Sequence, residues 1–252
     1  MKIKILISLL IFLMVACQKD DVKNNEASLL KMSFDFGDVI FDGNDGTIKA
    51  PENTDLEKLT PTIEISEGAV VYPSSKAITD FTEPVDYTVT SEDQNNVNYY
   101  NVSVLLPIVK FTVFDCTNRT VENPIAELAS NTNISIFKEN ESGEKQVIEE
   151  ITTDEIGKAF LYGYRDIVYY FLANKNGAVN IINGYIVNGI FESQEDIDNY
   201  PPQNHPSQIG DLKFMDANGD GRVNEDDRVD HRRILGIPEN GIKEIEIYLA
   251  KE

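Results

Sequence analysis

Tryptophan is absent from the 252-residue chain, and with it the side chain best suited to stacking on sugar rings. Cysteine occurs only as Cys17 and Cys116. Cys17 closes an N-terminal apolar run and has a use of its own, so Cys116 is left without a disulfide partner. Within the strand-like stretch VKFTVFDC it reads as a buried free thiol, because a nucleophile would want a histidine beside it. The histidines are His205 and His231, neither spaced with another ligand for zinc. Basic residues are outnumbered, 22 against 43 acidic, for a formal charge of −21. A surface that acidic repels phosphate backbones and argues against a nucleic-acid partner. Neither G-x-S-x-G, H-E-x-x-H nor a phosphate-binding loop is present, and carboxylate pairs are too frequent to single out a glycosidase pair, so the chain reads as a non-enzyme. The apolar run Ile5 to Ala16 is too short to span a bilayer.

What the chain does have is a concentration of oxygens near its C-terminus, in MDANGDGRVNEDD (Met215 to Asp227). Counted from Asp216, the loop 216–227 places Asp216 at position 1, Asn218 at 3, Asp220 at 5, Gly221 at 6, Arg222 at 7, Asn224 at 9 and Asp227 at 12. That is the spacing of an EF-hand calcium loop. Calcium is a hard cation that takes six to eight oxygens, and position 7 supplies only its backbone carbonyl, so Arg222 is compatible. Gly221 falls where the turn disfavours a Cβ, and Val223 is placed to anchor the loop in a core. An ordinary Asn/Gly/Asp turn needs two or three such residues, whereas here every side-chain ligand position carries Asp or Asn. Asp227 stands where Glu is usual and is one methylene shorter. GDLKF before the loop predicts a strand, and EDDRVDHRRIL after it predicts a short helix stopped by Gly236 and Pro238. The arrangement resembles the half EF-hand of dockerin-like loops, which implies a structural Ca2+ site rather than a sensor.

At the other end, Lys2 and Lys4, the run Ile5 to Ala16 and Cys17 together resemble a bacterial lipoprotein signal, with Met14 a mild departure from the usual leucine. The resemblance implies that residues 1–16 are removed and that Cys17 carries diacylglycerol on its thiol and a fatty acid on its new amino group. Gln18, Lys19, Asp20 and Asp21 resemble the acidic export tag of Bacteroidota surface lipoproteins. This implies a protein lipid-anchored in the outer membrane and facing the cell exterior. Residues 17–27 then form the lipidated cysteine and a polar tether.

Between Ser28 and Leu106 lie LLKMSFDF, VIFD, GTIKA, TIEIS, AVVYP, VDYTVTS and NYYNVSVLL, short runs with period-two alternation that predict an antiparallel sandwich. TDLEKLTPTIEIS and PVDYTVTSED are similar to the immunoglobulin-like modules at the front of many Bacteroidota surface lipoproteins. Beyond Pro107, a strand, a variable element, a T-D-x-x-G-K-A turn (Thr153 to Ala159) and a returning strand look like a transthyretin-like or carboxypeptidase-regulatory-like sandwich. Tyr162, Tyr164, Tyr169 and Tyr170 read as strand formers, since period two alone puts Tyr162 and Tyr164 on one face. The expected fold is all-β: two tandem β-sandwiches, immunoglobulin-like over 28–106 and transthyretin-like over 107–252, with the half EF-hand loop and a short helix at the C-terminal end.

The segment GYIVNGIFESQEDIDNYPPQNHPSQIGDLKFMDANGDGRVNEDDRV resembles a late extracellular segment of the TonB-dependent receptors of starch-utilisation systems. The chain lacks the length and repeated amphipathic strands of such a barrel, so only the calcium-stabilised extracellular element carries over. The resemblances imply a non-catalytic surface lipoprotein accessory to a TonB-dependent uptake system, with a glycan or peptide ligand. The alternative is a structural or adhesive surface protein with no uptake role.

Overall fold

The computed structural model describes residues 23–163 and 165–251. The expected signal peptide, the expected lipidation site Cys17, the expected export tag Gln18–Asp21 and Tyr164 lie outside the described residues. The chain divides into two compact units, one built from residues up to Gly46 and from Glu57–Val102, the other from Thr47–Leu56 and from Ser103 onward. Among the described residues, no helix is long and apolar enough to cross a membrane.

The first unit is built on β1 (Leu29–Phe34), β2 (Gly37–Asp38), β3 (Ile40–Asp42), β4 (Asp45–Lys49), β5 (Thr62–Ile65), β6 (Val70–Tyr72), β7 (Val85–Thr90) and β8 (Val97–Leu105), the unit boundary falling within β4 and within β8. They form a three-stranded sheet in the order β2-β1-β5 and a five-stranded sheet in the order β3-β4-β8-β7-β6. All seven runs read from the sequence become strands, and β2 is a two-residue addition. Period two sends alternate side chains inward: Tyr87 and Val89 of β7 are buried while Asp86 is exposed. Between the sheets Phe81 meets the Phe34 ring edge-on at 5.3 Å and stacks on Tyr87 at 6.5 Å.

The second unit is a separate sandwich. Its strands are β9 (Pro107–Asp115), β10 (Glu127–Leu128), β11 (Asn133–Glu139), β12 (Lys145–Thr152), β13 (Lys158–Tyr162), β14 (Tyr169–Lys175), β15 (Ala178–Val179), β16 (Ile181–Ile182), β17 (Tyr185–Ile190), β18 (Leu212–Phe214), β19 (Arg232–Arg233) and β20 (Lys243–Leu249). β9 is the centre of one sheet. β13 and β10 follow each other along one of its edges, and β20 runs parallel along the other, pairing Lys243 with Val109 through Leu249 with Asp115. The facing sheet runs β12-β11-β14, with β15 and β19 both on the far edge of β14. Phe111, Val113, Ile134, Ile136, Phe171, Ile247 and Leu249 fill the space between the sheets. The Phe111 and Phe171 rings meet at 5.2 Å.

The Thr153 to Ala159 turn forms as expected, with Asp154 Oδ1 accepting from the Ile156 and Lys158 amides at 3.0 and 2.8 Å. Gly157 adopts φ +71°, and a Cβ there would sit 3.0 Å from the Val113 carbonyl oxygen, so both conformation and space call for glycine. A third, smaller sheet, β16-β17-β18, closes over a second core containing Cys116, Val187 and Leu212. It carries the C-terminal loop.

The helix expected after that loop does not form. The segment makes one 3-10 turn, Glu225–Asp227, and then runs extended into β19. The reason is tertiary: Arg232 and Arg233 pair with Phe171 and Tyr170 of β14, and the Ile234 amide donates to the Tyr169 carbonyl, which seats Ile234 in the sandwich core. The α-helix found among the described residues, α1 (Gln194–Asp198), lies before the loop and is capped by Ser193 Oγ, which accepts from the Asp196 amide at 3.1 Å.

Candidate functional site

The loop 216–227 leaves β18 and is held at both ends and in its middle. The Met215 amide donates to the Ile186 carbonyl at 2.9 Å, and the Val223 amide donates to the Pro202 carbonyl at 2.9 Å. Val223 is buried, and a parallel bridge joins it to Gln203, whose side-chain oxygen accepts from the Phe214 amide at 2.8 Å. The apolar anchor read from the sequence is therefore real. Gly219 and Gly221 have φ of +76° and +88°, in the region that L-residues avoid.

The acidic side chains organise this backbone. Asp216 Oδ1 accepts from the Gly219 and Asp220 amides at 2.8 and 3.2 Å, and its Oδ2 accepts from Gly221 at 2.8 Å. Asp220 Oδ1 accepts from the Arg222 amide at 2.9 Å; the Arg222 side chain is exposed. Asn218 and Asn224 each bring their amide group to 3.4 Å from Asp220 Oδ2, so positions 3, 5 and 9 converge. Asp227 is buried and spans the loop, with Oδ1 accepting from Ala217 and Asn218 at 2.7 and 3.0 Å and Oδ2 from Asn224 at 2.8 Å. Burial pushes its carboxyl up, but these three backbone donors outweigh burial and hold it below the ordinary aspartate value.

Among the described residues, no three His, Cys, Asp or Glu side chains form a metal-holding group. The loop's acidic oxygens are turned towards backbone amides. Their chemistry nevertheless fits a hard divalent cation: a carboxylate offers about four lone-pair sites, of which Asp216 and Asp227 each give three to amides. The remainder, with Asp220 Oδ2, the Arg222 carbonyl and the asparagine Oδ1 atoms, which accept from the Asp220 and Asp226 amides at 2.9 and 2.8 Å while their NH2 groups face Asp220, supplies the oxygen donors.

Beside the loop lies a groove of about 940 Å³ that the sequence did not disclose. Met215 and Ala217 form its loop side; Tyr170, Asn188, Arg228, Asp230, His231, Arg232, Arg233 and Lys243 line the rest with Lys145. The Arg228 guanidinium sits 5.2 Å from the Tyr185 ring centroid. Arg232 sits 5.5 Å from that of Phe171 and donates to the Glu246 carbonyl at 2.8 Å. Burial pulls Arg232 down to about 10, so it stays charged at neutral pH. Lys145 pairs with Asp230 at 3.2 Å. His231 Nδ1 is also 3.2 Å from Asp230, but it makes no well-directed hydrogen bond there and is an unsatisfied buried nitrogen. The lining comes from strands far apart in sequence, and only pairing of β19 with β14 brings Arg233 beside Tyr170.

The described tyrosines of this stretch, Tyr162, Tyr169 and Tyr170, take separate places in the sandwich. Tyr169 is buried in the core and Tyr162 belongs to the opposite sheet, while Tyr170 donates its hydroxyl to Glu139 at 2.9 Å. Cys116 is buried and free, and burial raises its thiol to about 12. It is a core residue rather than a nucleophile.

Residues 32–104 match the family described as SGBP, N-terminal, of the surface glycan-binding type found in Bacteroidota. No curated protein matches the chain. Among solved structures, a proposed glycoside hydrolase from Bacteroides thetaiotaomicron aligns at 24% identity over 53% of this chain and 37% of its own, with a TM-score of 0.33. The present chain thus spans little more than a third of that protein. A proposed secreted protein from Bacteroides fragilis aligns at 16% identity over 32% of this chain and 96% of its own, with a TM-score of 0.26.

Proposed function

We propose that the chain is a non-catalytic, glycan-binding lipoprotein of the bacterial cell surface, accessory to a TonB-dependent uptake system of the outer membrane. The observation that carries this reading is the match of residues 32–104 to the SGBP N-terminal family. In this reading the first unit is the spacer and the second presents the binding surface. Cys17 holds the lipid, and Gln18, Lys19, Asp20 and Asp21 direct the protein outward. Asp216, Asn218, Asp220, Asn224 and Asp227, with the Arg222 carbonyl, hold Ca2+. The ion would neutralise the clustered carboxylates and brace the loop between β18 and β19.

The test has two arms. Mature protein extracted in mild detergent should co-purify with a large outer-membrane barrel. Incubated with a panel of neutral and acidic glycans, it should bind at least one without releasing product. Release of reducing ends would make it an enzyme. Failure to bind any glycan, together with the absence of a barrel partner, would leave the structural or adhesive role.

A further inference from the structure

The groove beside the loop runs against the charge of the whole chain. In a protein of formal charge −21, five Lys and Arg side chains line this one depression. Its three carboxylates are already engaged. Asp230 faces Lys145 at 3.2 Å, Glu244 pairs with Lys110 at 2.9 Å, and Glu246 accepts the Tyr248 hydroxyl at 2.7 Å. By contrast, among the described residues no carboxylate lies within 4.0 Å of Arg228, Arg233 or Lys243. Cations left unpaired where acidic residues outnumber basic ones almost two to one are arranged for a ligand that brings its own negative charge. Arg228 is held on the Tyr185 ring, which fixes its planar fork for a carboxylate or sulfate before any ligand arrives.

We infer that this groove binds an acidic glycan, whose carboxylate or sulfate groups are received by Arg228, Arg233 and Lys243. The inference rests on the glycan-binding reading and narrows it to a ligand class. The mixed lining sets the spacing of charge on the ligand. A dense polyanion would meet Asp230, Glu244 and Glu246 as repulsion. A sugar chain with charges separated by hydroxyl-bearing rings offers anions to the cations and hydroxyl donors to those carboxylates and to the Asn188 side-chain oxygen. A volume of about 940 Å³ lies within the range of small-ligand sites and accommodates a few sugar rings. The acidic remainder of the surface does not forbid this, since charges more than about 8 Å apart are largely screened at physiological salt.

The experiment is titration of the mature full-length protein with hyaluronan, which carries carboxylates only, with chondroitin sulfate, which adds sulfates, and with neutral dextran and xylan. Binding to hyaluronan assigns the carboxylate, and binding to chondroitin sulfate alone assigns the sulfate. In either case affinity falls as salt rises. Arg233→Gln with Lys243→Gln should weaken it roughly tenfold, whereas Lys175→Gln, a cation outside the groove, should not. Arg233 is exposed and Lys243 half-buried, so folding should survive, and matched melting curves check this. Binding of neutral glycans only, indifferent to the double variant, overturns this inference and leaves the glycan-binding reading standing. Binding of no glycan at all overturns both.

Discussion

At Asp227 two opposing effects meet. Burial disfavours its charge, and amide donors from Asn224, Asn218 and Ala217 favour it; the donors win, and the carboxyl titrates below its ordinary value. The native state therefore stays ionised to lower pH than the unfolded chain, whose aspartates titrate near about 3.9. The stabilisation is fully present above that value and is lost as pH falls through the folded one. Asp227→Asn keeps the shape but turns an NH2 group towards a backbone donor. Measured by urea unfolding at pH 7 with a chelator present, so that no metal contributes, it should cost about 1 to 3 kcal/mol. At a pH below the ordinary aspartate range, the gap between parent and variant should narrow as the parent's Asp227 takes up a proton. An equal gap at both pH values would mean that side-chain shape, not charge, is what the amides require.

The elements around this residue show what local reading reaches. Period-two alternation found every strand of the first unit except the two-residue β2, because a half-buried antiparallel strand declares its buried face in sequence. Gly221 and Val223 were legible for similar reasons: one marks a backbone conformation, the other a lone apolar residue in a polar loop. The stretch EDDRVDHRRIL was not legible, since its extended form depends on the free edge of β14, roughly sixty residues earlier. There tertiary pairing overrides local propensity. The groove was hidden for the same reason, its cations being scattered until β19 docks. The loop gives the element-scale prediction. An ion bound only by the native state stabilises by mass action, about 2.7 kcal/mol when free calcium stands ~100-fold above its Kd. Adding calcium to chelated protein should raise the melting temperature of the second unit and leave the first unchanged. Asp216→Ala with Asp220→Ala should remove the response, and magnesium should substitute poorly, because so many protein oxygens suit a larger and less strictly octahedral ion. Superimposable melts with calcium and with chelator, and no bound metal by elemental analysis, would reduce the loop to a turn held by its aspartates.

At the scale of the molecule, a chain of formal charge −21 gains nothing from an anionic membrane surface. If it is to stay at a membrane it needs a hydrophobic anchor, and among the described residues no helix can supply one. The proposed anchor is Cys17, where a thioether to diacylglycerol plus an amide-linked fatty acid would give several acyl chains. Each buried methylene adds about 0.8 kcal/mol, and one chain alone binds only marginally. Serine cannot form the thioether, so Cys17→Ser should abolish labelling by a radioactive fatty acid and release the protein from the outer-membrane fraction. The acidic tag can be separated from the anchor, because acylation depends on the residues before the cysteine and Gln18 to Asp21 follow it. Replacing Lys19, Asp20 and Asp21 by alanine should leave labelling intact but protect the protein from protease added to whole cells, since an anchored molecule that is not exported faces the periplasm. If protease removes variant and parent equally while both remain labelled, the tag has no part in orientation. If Cys17→Ser remains labelled and membrane-bound, the anchor lies elsewhere in the chain.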